Sequence, residues 1–293
     1  MRISQVHAPG LLGISFELFP PKDAEGEAKL FAETVPALLE LEPDFMTCTY
    51  GAGGSTRDKT LEIITRIKRE HGAEMACHLT CVGTSRQLIR ECLERVSAEG
   101  IRSVVALRGD PPKGDASFAP AADGFRYARD LVAFIRQQGD FDIAVAGYPE
   151  GHPECPDKHL DWEYCRQKVE AGAKLIITQL FYDLNDYYEF DDYMKNKLGV
   201  TVPIVPGILP IISGPQIERF CGLCGAKLPA AIRERLASFG EDRAASRAYG
   251  VELATRMCEE LIRYGAPGFH FYTLNRVEST REVLQNLRLA VRP

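Results

Sequence analysis

The chain has 293 residues, 45% hydrophobic and 26% charged, an ordinary globular composition with ample core material. Its formal net charge of -6, with no basic tract, argues against a nucleic-acid surface. No run approaches the roughly 18 apolar residues of a membrane span, and residues 1–9 are polar and lack a signal-peptide core. The nine cysteines are odd in number and scattered, which suits the reduced thiols of a cytoplasmic protein better than a disulfide framework.

The first element is Ile14-Ser15-Phe16-Glu17-Leu18-Phe19, which reads as a buried strand stopped by Pro20 and Pro21, neither of which can donate to a ladder. Alternation puts Phe16 and Leu18 on one face and Ser15, Glu17 and Phe19 on the other. A carboxylate left unpaired there, among apolar neighbours, resists ionising and can donate a proton near neutral pH. The alternative is a rim carboxylate that caps a helix or pairs with an arginine. Seven further strand-like runs follow at 45–50, 75–81, 104–109, 143–148, 175–181, 204–209 and 269–274. Amphipathic helices lie between them, among them 29–41, with Leu30, Val35, Leu38 and Leu39 at helical spacing, then 60–71, 85–99 and 126–138, and 280–289 closes the series. Eight short strands alternating with helices predict an α/β fold, a parallel sheet closed into a (β/α)8 TIM barrel, with a doubly wound open sheet as the alternative. Segments 213–225, 229–239 and 243–264 exceed what one barrel unit needs, so extra helices are expected between strands 7 and 8. No linker or composition shift divides the chain, and residues 1–293 are expected to form a single domain.

Barrels of this kind place their sites at the C-terminal ends of the strands. Those ends are polar in seven of the eight runs: Glu17; Thr47 and Thr49 with Tyr50; His78 and Thr80; Arg108-Gly109-Asp110; Tyr148 followed by His152; Thr178 and Gln179; and His270, Tyr272, Thr273, Asn275 and Arg276. Buried polar groups cost free energy unless satisfied, so the convergence points to a ligand site. Each member has a plainer alternative. Asp110 could cap a helix or turn before Pro111, and His78 could be a satisfied core histidine. Gln179 could make a structural hydrogen bond, Tyr272 could pack with its hydroxyl satisfied, and Arg276 could pair with Asp110 or Glu17. The run Gly51-Ala52-Gly53-Gly54-Ser55-Thr56 would let backbone approach a ligand but lacks the full dinucleotide fingerprint. Cys221-Gly222-Leu223-Cys224 has redox spacing without a second pair and reads as inert thiols. His152-Pro153-Glu154-Cys155 has no partner pair at zinc spacing, so no metal is expected.

Five segments carry a resemblance: Phe16-Glu17-Leu18-Phe19-Pro20-Pro21-Lys22, Ala106-Leu107-Arg108-Gly109-Asp110-Pro111, Ala146-Gly147-Tyr148-Pro149-Glu150-Gly151-His152-Pro153-Glu154, Ile177-Thr178-Gln179-Leu180-Phe181 and His270-Phe271-Tyr272-Thr273-Leu274-Asn275-Arg276. In order and over nearly the whole chain, they resemble the methylenetetrahydrofolate reductases. The resemblance implies a (β/α)8 flavoprotein that binds FAD and reduces 5,10-methylenetetrahydrofolate to 5-methyltetrahydrofolate with NADH or NADPH, in ping-pong order. It implies that Glu17 is the acid that protonates folate nitrogen as the five-membered ring opens to an iminium ion. It implies that Asp110 lies by flavin and folate, that Gln179 hydrogen-bonds the pterin, and that Tyr272 and Arg276 contact substrate. The FAD contacts it implies are Thr49, Tyr50, His78, Arg108, Gly109, Asp110, Tyr127, Ala128, Tyr148, His152, Asp161 and Lys168. The family also implies a homo-oligomer, and the charge and hydropathy argue against a nucleic-acid or membrane partner.

Two departures accompany it. Some bacterial members place a mobile aromatic over the nicotinamide after strand 7, where this chain has Ser213-Gly214-Pro215. Eukaryotic members continue into a regulatory domain that binds S-adenosylmethionine, and this sequence stops at Pro293, so no such control is expected. The rival readings are a flavin-free folate-binding barrel methyltransferase and a non-catalytic relative that binds folate or a partner protein.

Overall fold

The computed structural model describes residues 2–7, 10–50, 56–110 and 120–287. Segment 51–55, Pro111, Pro112 and the expected helix positions 288 and 289 lie outside the described residues. Eight parallel strands close into one barrel in sequence order. They are β1 (Gly13–Leu18), β2 (Phe45–Cys48), β3 (Met75–Thr80), β4 (Ser103–Leu107), β5 (Asp142–Gly147), β6 (Leu175–Leu180), β7 (Ile204–Ile208) and β8 (Gly268–Tyr272). Closure comes from β8 pairing with β1, with Ile14 opposite Phe269 and Glu17 opposite Tyr272. Around the barrel run α1 (Ala24–Lys29), α2 (Val35–Leu39), α3 (Arg57–His71), α4 (Arg86–Ala98), α5 (Ala128–Gln138), α6 (Lys158–Glu170), α7 (Leu184–Asp192), α8 (Gly214–Cys224), α9 (Ala230–Ser238), α10 (Arg243–Tyr264) and α11 (Glu278–Asn286). The extra helices expected between strands 7 and 8 are α8 to α10. No helix among the described residues is long and apolar enough to cross a membrane.

Strand alternation splits the core in two. Phe16, Leu18, Met46, Cys48, Cys77 and Val104 face outward and pack under the helices. Phe45, Ala76, Val105, Ala144, Leu175, Ile177 and Val205 fill the barrel interior. Ile3 and Val6 join that inner cluster, so the polar N-terminal stretch is a plug. Ser4 donates to Asp142 at the start of β5 from both its N–H (2.7 Å) and its hydroxyl (3.1 Å). His7 is 1% exposed and its Nδ1 meets the Pro267 carbonyl at 3.1 Å.

Two expectations need correction. The strands end earlier than the apolar runs suggest, at Cys48 rather than residue 50 and at Tyr272 rather than 274, because the chain leaves the ladder there to present side chains at the mouth. The expected helix 29–41 begins at Ala24 instead, capped by the Asp23 carboxylate accepting from the Gly26 N–H at 2.7 Å. Helix α1 buries no side chain, which is why no apolar period marks it. Between α1 and α2, Leu30–Thr34 form a π turn, with the Val35 N–H bonded to the Leu30 carbonyl. The extra residue shifts the helical phase, and Pro36, which has no N–H to give, follows directly.

Burial lowers the His7 pKa to about 4. The unfolded chain therefore takes up this proton first as pH falls below about 6.5, and the plug loses stability progressively down to about pH 4. His7→Gln should flatten that decline, by up to about 3 kcal/mol at the acid end, in urea unfolding followed between pH 7 and 4.

Candidate active site

Glu17 is the inward-facing residue nearest the C-terminal end of β1, and it is 8% exposed. It is not left unpaired, nor does an arginine meet it. Its Oε2 lies 3.5 Å from His78 Nε2 on β3 and 3.4 Å from His270 Nε2 on β8. Both imidazoles are buried, 3% and 1% exposed. Behind His270, its Nδ1 lies 2.8 Å from Ser15 Oγ, which is itself 3.3 Å from the Phe269 carbonyl. When the Ser15 hydroxyl donates to Nδ1, the His270 Nε2–H faces the Glu17 carboxylate. When it donates to Phe269, Nδ1–H points at Ser15 and the Nε2 lone pair faces Glu17 Oε2. Ser15, His270 and Glu17 thus form a chain along which one proton can be held. Burial keeps the His78 pKa below its ordinary range, so that ring is neutral, although the Glu17 charge pulls the other way.

The mouth above is rich in unpartnered polar atoms. Among the described residues, Thr47 Oγ1, the Tyr50 hydroxyl, His78 Nδ1 and Thr80 Oγ1 are buried without a hydrogen-bond partner, and His78 Nε2 has only its long contact to Glu17. Thr49, Tyr50, Thr80, Val82, Leu107, Gly109 and Asp110 line a cleft, part of it open to solvent, at the exits of β2, β3 and β4. Gly109 makes that close approach possible: its φ is +82°, and a Cβ there would stand 2.5 Å from Val82 Cγ1. Asp110 is exposed at the rim. Arg108 is held by Glu154 in a two-pronged ion pair of 2.6 and 2.7 Å, which fixes the β4 exit to the β5 loop.

On the next side, Tyr148 and His152 meet edge to face at 4.7 Å. Asp161 and Lys168 are seven residues apart and share the face of α6 turned toward them. The Lys168 ammonium donates to the Ala146 carbonyl. Burial raises the Asp161 carboxyl above the usual range, opposed by Lys168 and His152. Tyr127, 46% exposed, precedes Ala128 at the start of α5, with Arg129 5.0 Å from the centre of its ring.

A bulge re-aims β6. Ile177 pairs with Val205 but Leu180 pairs with Gly207, so one extra residue is accommodated. Thr178 Oγ1 accepts from the Gly207 N–H at 2.9 Å, and Gln179 Oε1 accepts from the Leu180 N–H at 2.9 Å. The Tyr272 hydroxyl donates to the Thr178 carbonyl at 2.7 Å, so this group is already satisfied and the ring is what borders the mouth. Arg276 is exposed at the lip of β8. Ser213-Gly214-Pro215 opens α8, and the aromatic on that side is Phe220, which lines a small apolar cleft with Leu209, Ile212, Gln216 and Leu274.

Sequence reasoning counted His270 among the polar strand ends without linking it to Glu17, and gave Ser15 and Glu154 no role. A signal existed for Ser15 and His270, because alternation puts Ser15 on the face of Glu17 and His270 on the face of Tyr272. Among the described residues, no cluster of three or more His, Cys, Asp or Glu side chains is arranged to hold a metal.

Fold and mouth together define a class: a closed (β/α)8 barrel with a buried carboxylate–histidine pair beneath a polar cleft at the C-terminal ends of its strands. The family model for methylenetetrahydrofolate reductase matches residues 2–288. The 5,10-methylenetetrahydrofolate reductase of Escherichia coli K12 is 38% identical, over 99% of this chain and 95% of the bacterial protein. A rice protein named probable methylenetetrahydrofolate reductase (NADH) is 42% identical over 98% of this chain. The chain spans about half the length of that rice relative. An uncharacterized Clostridium thermocellum protein that binds two copies of 5-methyl-5,6,7,8-tetrahydrofolic acid shares the fold, with a TM-score of 0.65, 17% identity and 95% of each chain covered. The chain belongs to the methylenetetrahydrofolate reductase family.

Gly207 has no room for a side chain, since a Cβ would lie 2.2 Å from the Thr178 carbonyl oxygen and 2.6 Å from the Tyr272 ring. Gly207→Ala should therefore cost about 1–3 kcal/mol of stability, read by urea unfolding, and should displace Tyr272.

Proposed function

We propose that this chain reduces 5,10-methylenetetrahydrofolate to 5-methyltetrahydrofolate with a nicotinamide dinucleotide as electron source and FAD as bound cofactor, and that residues 1–293 act as one catalytic domain. The observation that carries the reading is Glu17, buried between two imidazoles at the floor of a polar mouth in a member of this family. The names of the plant relatives specify NADH, which favours NADH over NADPH.

The orphaned polar atoms of His78, Thr47, Tyr50 and Thr80, and the Gly109 approach, suit a large planar ligand with hydrogen-bonding edges. The residues that would hold FAD are Thr49, Tyr50, His78, Arg108, Gly109, Asp110, Tyr127, Ala128, Tyr148, His152, Asp161 and Lys168. Arg108, aimed by Glu154, and the N–H groups at the start of α5 beside Tyr127 suit its negatively charged phosphates. When bound, FAD supplies the hydride relay between nicotinamide and folate.

The chain's own residues supply binding and a proton. Glu17, holding its proton with His270 and Ser15 behind it, gives that proton to the folate nitrogen as the C–N bond to the one-carbon unit breaks. The carbon is left as an iminium, ready to accept hydride. A proton from solvent entering the open mouth as product leaves resets the acid, while His270, backed by Ser15, holds the carboxylate in place. Gln179, placed by the β6 bulge, offers its amide to the pterin edge. Tyr272 presents its ring face, Asp110 helps hold the pterin, and Arg276 meets the anionic glutamate tail.

Glu17→Gln keeps the shape and removes the acid. Reduction of bound flavin by NADH should proceed within about twofold of wild type, while reoxidation by methylenetetrahydrofolate should fall by at least about 100-fold. Anaerobic stopped-flow absorbance separates the two half-reactions. Equal loss in both would remove Glu17 from the assigned role.

A further inference from the structure

The strand that carries Glu17 is held at its exit by an unusual turn. After β1 the chain runs into Phe19-Pro20-Pro21, and neither proline can donate a ladder bond. The β1–β8 register likewise stops at Glu17 opposite Tyr272. Beyond it, β8 does not continue as a strand. Leu274 and Asn275 both adopt the left-handed region, with φ of 50° and 57°. Asparagine tolerates that region, but for leucine it is costly.

The turn nevertheless makes four hydrogen bonds to the end of β1. The Thr273 N–H and hydroxyl both donate to the Glu17 carbonyl, at 3.3 and 2.8 Å. Asn275 then reads the whole backbone of Phe19: its Oδ1 accepts from the Phe19 N–H at 2.9 Å, and its Nδ2 donates to the Phe19 carbonyl at 2.8 Å. The side-chain amide thus stands in for a strand neighbour where backbone pairing has run out. The left-handed pair brings the amide into that position, and Leu274 packs against the core beside the apolar cleft lined by Leu209, Ile217 and Phe220.

We propose that Asn275 is a positioning residue for Glu17. It makes none of the contacts assigned to substrate or cofactor. By pinning Phe19 from both sides, it fixes the rotation of the β1 terminus about its axis and so sets where the Glu17 carboxylate meets His270 and His78. The same clamp locks the β1 exit to the turn that carries Arg276. The role rests on the reading of Glu17 as proton donor, and it makes the clamp matter to the folate half-reaction and not to flavin reduction.

Two variants test it. Asn275→Gly keeps the left-handed backbone accessible and removes the amide. Asn275→Asp keeps an acceptor for the Phe19 N–H, loses the donor to its carbonyl, and serves if the glycine variant folds poorly. In ligand-free protein, hydrogen exchange at the Phe19 amide should quicken by about tenfold or more in Asn275→Gly and by less in Asn275→Asp. In the FAD-loaded enzyme, NADH should reduce the flavin at nearly the wild-type rate. Reoxidation by methylenetetrahydrofolate should slow by about 100-fold in Asn275→Gly, as small misplacements of a reacting group do, and its pH profile should shift. Equal slowing of both half-reactions, or faster exchange at Phe19 with the folate step untouched, would overturn the positioning role. A wild-type protein that shows no folate-dependent reoxidation would instead overturn the reading of the site itself.

Discussion

A carboxylate inside a closed barrel must find its partners inside that barrel, and the mouth of this protein is arranged around how Glu17 finds them. Water cannot solvate it fully, and no arginine or lysine reaches it among the described contacts. Two imidazoles do, and the one on β8 is backed by Ser15 from the same strand as Glu17 itself. Histidines in place of a fixed cation surround the carboxylate with groups that can themselves donate or accept, which suits the acid role proposed for Glu17. An arginine at the same distance would have locked the carboxylate in its charged form.

The rest of the mouth makes room above that cluster. Gly207 leaves room for the Tyr272 ring beside β7, and the Tyr272 hydroxyl closes on the Thr178 carbonyl at the β6 bulge. Gly109 brings the β4 exit against Val82 on the opposite flank. Apolar packing below, from Phe45, Val105, Ile177 and the N-terminal plug of Ile3 and Val6, keeps the floor rigid. Glycines, a bulge and left-handed turns would each weaken an ordinary barrel. Here they sit at the C-terminal end, where they shape a cleft lined with polar atoms.

Much of this was legible in the chain. Parallel strands are buried on both faces, so all eight announce themselves as short apolar runs. Glu17, His78, Asp110, Gln179 and Tyr272 stood out because polar residues at strand ends need a reason. Local pattern could not show what depends on closure: His270 meets Glu17 only because β8 pairs with β1, across 253 residues of sequence. The Arg108–Glu154 pair and the Asn275 clamp on Phe19 are long-range in the same way. Helix α1 escaped because it buries nothing, and the plug at residues 2–7 escaped because its two apolar side chains sit in a polar stretch.

The proposed reaction is tested most directly by an anaerobic absorbance titration of the purified chain after incubation with FAD. The flavin bands should bleach on adding NADH and return on adding 5,10-methylenetetrahydrofolate, with 5-methyltetrahydrofolate as the product. A protein that takes up no flavin, or one whose reduced flavin the folate leaves unchanged, would contradict it.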